Sequence, residues 1–178
     1  MSVGKDSKTA KNLAYAFAGE SQAHGKYSYF ASVARKEGYE QIAAIFEHTA
    51  ANEKAHAKLW FKALDGIGDT AANLKSAAAG EHEEWTNMYK QFAEEAEAEG
   101  YGDIARLFKR VGEIEKRHEK RYLDLLNNVE RGEVFKKSEK KRWECRVCGH
   151  IVEGDSAPEK CPTCGHSKSY FEIEATNY

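Results

Sequence analysis

The chain has 178 residues, enough for one helical bundle of ordinary size plus a small module. Its 27 basic and 29 acidic side chains leave a net charge of −2, so no bulk electrostatic pull toward nucleic acid or a membrane is expected. The polar stretch 1–12 lacks a signal-peptide core, no apolar run approaches membrane-spanning length, and all four cysteines sit in two Cys-x-x-Cys pairs. We therefore expect a cytoplasmic chain whose thiols bind metal and do not form disulfides.

Four helices are expected, at roughly 10–36, 40–65, 70–98 and 102–130. The first carries an inner stripe at Leu13, Phe17, Glu20, His24, Tyr27, Ala31 and Ala34. Gly38 then closes a turn, because glycine most easily takes the left-handed conformation that ends a helix. The second helix has its stripe at Ile42, Ile45, Phe46, Thr49, Glu53, His56, Trp60 and Leu64. The third begins at an N-cap, Asp69 or Thr70, and presents Glu81, Glu84, Trp85, Met88 and Phe92. Gly100 closes the second turn. The fourth runs through Ile104, Leu107, Phe108, Val111, Glu115, His118, Tyr122 and Leu125. All four follow the three-four spacing of core-facing helices.

The chain contains itself twice. Gly19-Glu20 recurs as Gly80-Glu81, Glu37-Gly38-Tyr39 as Glu99-Gly100-Tyr101, and Glu53-x-x-His56 as Glu115-x-x-His118. The offset grows by one residue between the first pair and the later ones. One residue is therefore inserted in the third helix, and we expect a π-bulge between Glu84 and Glu97 to absorb it.

Glu20, Glu53, Glu81 and Glu115 interrupt the four stripes at similar depth. Burying an ionised carboxylate costs several kcal/mol unless it is paired or binds metal. No Lys or Arg lies on the stripes to neutralise them, and a pair of metal ions would. On a helix, i and i+3 share a face, so each Glu-x-x-His pair aims a carboxylate and an imidazole at one point. Two such pairs with single glutamates on two other helices make the di-iron constellation of ferritin-like bundles. Glu84 breaks the repeat, since Ala23 is its counterpart. It adds a carboxylate to one side and makes the two metals inequivalent. Glu94, Glu95 and Glu97 lie about three turns further on and read as a solvated face.

Residues 136–142 read as a charged linker, solvated and not a nucleic-acid contact. Beyond it, Cys145-Arg-Val-Cys148-Gly149 and Cys161-Pro-Thr-Cys164-Gly165 are two knuckles that together hold one ion in a tetrahedral cage. Spacing alone leaves zinc and iron open. The segment is too short for a sizeable core, so its metal contributes much of the folding energy. Trp143, Tyr170 and Phe171 are the expected aromatic core. The domains are thus 1–135, a four-helix bundle, and 143–178, a metal-knuckle module.

Taken together, Gly19-Glu20-Ser21-Gln22-Ala23, Glu53-Lys-Ala-His56-Ala57-Lys58, Ala79-Gly80-Glu81 with Glu84, Met88-Tyr89, Glu115-x-x-His118-Glu119-Lys120-Arg121 and the two knuckles resemble the rubrerythrin family over almost the whole chain. The resemblance implies an all-α ferritin-like di-iron bundle followed by a rubredoxin-like Fe(Cys)4 domain. It implies that Glu20, Glu53, Glu81, Glu84, Glu115 and His118 are di-iron ligands. It makes His56 a redox-dependent ligand that exchanges with Glu84, and it places Tyr27 and Tyr89 beside the site. His24 and Lys90 depart from the family pattern. His24 reads as a core histidine before it reads as a partner behind the ligands, and neither departure touches the ligand set.

The implied activity is reduction of hydrogen peroxide to water, with electrons relayed by Cys145, Cys148, Cys161 and Cys164 from an NAD(P)H-linked reductase or a rubredoxin. A ferroxidase would use the same bundle ligands. A zinc ribbon on a structural bundle would not need the inward carboxylates. A homodimer is expected, and a geometric argument favours exchanged helical hairpins. If 70–79 is helical, about five residues link helices two and three and reach roughly 17 Å. The helices overhang the metal level by about 30 Å in sum.

Overall fold

The computed structural model describes residues 3–177, and they form two compact units divided between Asp69 and Thr70. The first unit is a helical hairpin. Helix α1 (Lys8–Lys36) is capped by the Ser7 side chain, which accepts from the Ala10 N–H. Helix α2 (Glu40–Ala63) returns after Gly38, whose φ is +85°. Their seam is lined with Ala10, Ala31, Ala34, Ala43, Ala50 and Ala57, all buried. Such small side chains let two helix backbones approach closely. Across it, His24 Nδ1 lies 2.9 Å from the Ala50 carbonyl, and Phe17 and Phe61 stack at 4.7 Å. His24 is thus a satisfied interhelical tie, as expected.

The second unit opens with helix α3 (Thr70–Glu83), passes through a π turn (Glu84–Met88) and continues as α4 (Tyr89–Ala98). The expected bulge therefore sits at the start of the expected interval. Gly100, with φ +86°, closes the turn into α5 (Gly102–Glu130). Ala78, Ala93, Ala96, Ala105 and Gly112 form its buried seam. A Cβ on Gly112 would sit 3.4 Å from that of Tyr89, which shows how closely the two helices approach there.

Several stripe residues do not lie inside. Ile42, Ile45, Phe92, Ile104, Leu107 and Leu125 are exposed in the chain, Ile45 by 58% and Leu107 by 54%. The reason is geometric. A two-helix hairpin buries one seam, and alanine fills it, so the large apolar residues flank it and remain open. Each hairpin therefore keeps an uncovered apolar face of the kind that a four-helix bundle buries.

After α5 the chain enters a three-stranded antiparallel sheet in the order β2–β1–β3, with β1 Lys136–Cys145, β2 Ile151–Ser156 and β3 Phe171–Ile173. Residues 136–142, expected as a linker, are the first part of β1. Their charges fit the strand because most of them face solvent and several find partners. Lys137 donates to Asn128 Oδ1, and Arg142 pairs with Glu174 at 2.6 Å. The small core is Trp143, Cys145, Ala157, Cys161 and Phe171, with Phe135 and Val152 packed on it. Trp143 is fully buried and donates to the Gly154 carbonyl. Tyr170, expected in this core, is instead 46% exposed and meets His166 edge-on. Among the described residues, no helix is long and apolar enough to cross a membrane.

Candidate metal centres

Three clusters of potential ligands stand out among the described residues: Glu20, Glu53 and His56; Glu81, Glu115 and His118; and the four cysteines. In each, the ligand atoms lie within 4.8 Å of one another.

The first two clusters repeat one geometry. His56 Nδ1 is 2.8 Å from Glu53 Oε2 and 3.9 Å from Glu20 Oε1. His118 Nδ1 is 2.6 Å from Glu115 Oε2 and 3.7 Å from Glu81 Oε2. The i,i+3 spacing on α2 and α5 creates the short contact, and the neighbouring helix supplies the third group. The carboxylates are mostly sheltered, with Glu115 14% and Glu53 18% exposed, whereas His56 is 50% exposed.

The electrostatics fit a cation. Burial pushes the Glu81 carboxyl above its ordinary range, and the neighbouring charges of Glu115 and Glu84 push it further. Burial likewise raises the Tyr89 hydroxyl, with help from Glu84, Glu115 and Glu81. Only the histidine opposes this repulsion at Glu81. Two carboxylates and an imidazole with no fixed cation of their own are a donor set for a divalent or trivalent ion.

Glu84 stands slightly apart. Its charge is felt by Glu81 and Tyr89, yet it does not join the tight cluster of Glu81, Glu115 and His118. It is the first residue of the π turn. Tyr27 packs among Phe30 and Phe46, and Tyr89 against Phe108. Glu94, Glu95 and Glu97 are solvent-exposed, and Glu97 pairs with Lys109 at 2.6 Å.

The repeat did not point to one further network. Glu119 Oε1 accepts from His82 Nδ1 at 2.9 Å, and Oε2 accepts from Trp85 Nε1 at 2.5 Å. Lys116 lies over the Trp85 ring, 5.1 Å from its centroid. Each of these four residues directly follows a candidate ligand, and that adjacency was the available signal.

In the third cluster, Cys145 Sγ is 3.6 Å from Cys164 Sγ, and Cys148 Sγ is 3.7 Å from Cys161 Sγ. A tetrahedron with metal–sulfur bonds of about 2.3 Å has edges of about 3.8 Å, so the cage already has the size of a bound ion. Gly149 and Gly165, with φ of +73° and +75°, turn each knuckle back, and their N–H groups bond to the Cys145 and Cys161 carbonyls. The sulfurs share protons unequally. At Cys148 a backbone N–H at His150 pulls the thiol down, but burial and the other three sulfurs outweigh it and push it up to about 12. At Cys161 burial opposes ionisation, but N–H groups at Cys164 and Thr163 and the Cys164 and Cys148 sulfurs bring it down to about 6.

Residues 11–126 match the family model described as rubrerythrin, and residues 143–172 match the one described as rubrerythrin, rubredoxin-like domain. The chain is 51% identical to a rubrerythrin of Porphyromonas gingivalis, over 98% of this chain and 94% of that one. It is 48% identical to rubrerythrin-1 of Clostridium acetobutylicum and 46% to a rubrerythrin of Nitratidesulfovibrio vulgaris, over 98% of both chains in each case.

Proposed function

Because the chain belongs to the rubrerythrin family, we propose that it is a non-haem di-iron peroxidase reducing hydrogen peroxide to water. The observation that carries this reading is the paired geometry of the two Glu/His clusters. Glu20, Glu53, His56, Glu81, Glu84, Glu115 and His118 would hold two iron ions. When bound, these supply two electrons, so that hydrogen peroxide takes up two electrons and two protons and leaves as two waters.

The remaining steps belong to the protein. Glu53 and Glu115 are the most sheltered carboxylates of their two clusters and would anchor each half. His56, whose side chain is half exposed, would be the ligand that exchanges with Glu84. Tyr27 and Tyr89 would border the site. Cys145, Cys148, Cys161 and Cys164 hold the one-electron centre through which an external NAD(P)H-linked reductase or a rubredoxin refills the bundle. The work is assigned to the cytoplasm.

The discriminating experiment is anaerobic stopped-flow mixing of the fully reduced protein with peroxide or with dioxygen. Peroxide should oxidise it at least about tenfold faster, a barrier difference of about 1.4 kcal/mol. Faster oxidation by dioxygen would move the assignment to a ferroxidase.

The assembly we propose is a homodimer that exchanges hairpins. Residues 70–79 are helical, which is the condition the chain-length argument required. The end of α2 tightens the limit. Asp65 takes φ +55°, and the Gly66 N–H bonds back to the Phe61 carbonyl, so 64–66 stay coiled on the helix end. Four Cα steps then remain to Thr70, reaching about 14 Å. A parallel α2 and α3 with their ligands level need about 30 Å. Each site would combine Glu20, Glu53 and His56 of one copy with Glu81, Glu84, Glu115 and His118 of the other, and the open apolar faces would cover each other. Co-expressing Glu53→Ala with Glu115→Ala tests this. A swapped heterodimer regains one intact site and about half the wild-type iron; an unswapped pair regains none.

A further inference from the structure

The network around Glu119 lies on the second half of the repeat alone. Trp85 corresponds to His24 in the first half, which spends its ring nitrogen on the Ala50 carbonyl. Glu119 corresponds to Ala57, which is buried and offers nothing. The second half is also where the π turn and the additional carboxylate Glu84 occur.

A π turn has fewer good hydrogen bonds per residue than the α-helix around it, and it persists where the surroundings hold it. The π turn absorbs a residue that a regular helix would convert into a rotation of about 100°, so the facing of Glu81 and Glu84 depends on this turn keeping its shape. The angular setting of Glu81 and Glu84 toward α5 is therefore not fixed by the α4 seam. Glu119 spans this joint. One of its oxygens takes His82, in the last α turn before the insertion, and the other takes Trp85, inside it. Its side chain is only 18% exposed, and the Lys116 ammonium and the edge-on His82 ring pack against Trp85. His82 follows Glu81, Trp85 follows Glu84 and Glu119 follows His118, so three ligand-bearing backbone positions are tied through their immediate neighbours.

We infer that Glu119 is a positioning residue: by bridging His82 and Trp85 it sets the angle of the π turn and holds Glu81 and Glu84 in register with Glu115 and His118. This rests on the di-metal reading above. Groups that orient metal ligands change affinity by about 10- to 100-fold when removed.

The test uses the full chain with its cysteine site already filled with iron, the bundle free of metal, and cobalt(II) as the probe. Wild type should take up two cobalt ions per chain. Glu119→Ala should weaken one of them by about 10- to 100-fold and leave the other within about threefold. Glu119→Gln should restore binding, since its carbonyl accepts from Trp85 and its amide donates to the ring nitrogen of His82. Trp85→Phe should weaken the same ion, and adding it to Glu119→Ala should cost nothing further, as for residues acting as one unit. Equal weakening of both ions, no weakening, or failure of glutamine to rescue would overturn the proposal. If wild type binds no pair of ions in the bundle, the di-metal reading fails first and takes this inference with it.

Discussion

At the scale of single residues, the two hairpin turns depend on glycine for a stated reason. Gly100 has φ +86°, its N–H bonds to the Glu97 carbonyl, and the Tyr101 N–H bonds to that of Ala96. A side chain in this conformation costs about 1–2 kcal/mol. Gly100→Ala should therefore lower the midpoint of thermal unfolding by about 2–6 °C, and Gly38→Ala by a similar amount. An unchanged midpoint in both would show that the turns relax freely. Glu97 offers a second check. The bond from Lys109 holds its carboxyl below the ordinary 4.5. A group with a depressed folded value stabilises fully above its unfolded value and loses that contribution as pH falls through the folded one. The difference in midpoint between wild type and Glu97→Gln should be constant near neutrality and shrink below about pH 4.5, and it should be small, because the pair is exposed. A difference that grows on acidification would reverse the assignment.

At the scale of elements, the π turn was legible because the repeat counts residues. The offset rises by one after Glu81, and a helix absorbs one residue in this way. Deleting Asn87 should restore a regular α-helix with the fold retained. It should leave Glu81 facing Glu115 and His118, as Glu20 faces Glu53 and His56 on the regular helix of the first half, so the bundle should keep its bound iron; loss of half or more would contradict this. The clamp at Glu119 was not legible, because Glu119 sits in a run of charged residues on a helix face, where solvation is the ordinary fate of such side chains. Its partners become visible only when α3 and α5 are placed together. The first part of β1 was misread as a linker because Lys-Lys-Ser-Glu-Lys-Lys shows no apolar alternation until Trp143. In the knuckle module, the fully buried core amounts to a few side chains around Trp143. Cys148→Ser, or removal of the metal by a chelator, should therefore unfold this module alone. The Trp143 emission would shift to the red while the helical far-ultraviolet signal stays. Retention of the buried-indole spectrum would show that the core suffices without metal.

At the scale of the whole molecule, the helices and the ligand clusters followed from spacing alone, whereas burial of the stripes did not. Ile45 and Leu107 read as core residues and yet lie open, because a hairpin by itself has only one covered seam. What completes the bundle is a question of chain reach, and the segment after Gly66 is the lever. Inserting about fourteen Gly/Ser residues after Ile67 allows the two hairpins of one chain to meet. The exchange account then predicts a monomer, or a dimer that no longer complements between Glu53→Ala and Glu115→Ala chains. Undiminished complementation would show that the linker does not dictate the assembly. The central claim, that the cysteine centre feeds a peroxide-reducing bundle, is tested most directly by the visible spectrum of the anaerobic protein, reduced and then given one equivalent of peroxide per bundle site. The Fe(Cys)4 bands should bleach on reduction and return promptly with peroxide, and Glu115→Ala should abolish the return without affecting the bleaching. A colourless protein holding zinc on its four cysteines, or bands that return at the same rate without the bundle ligands, would contradict the account.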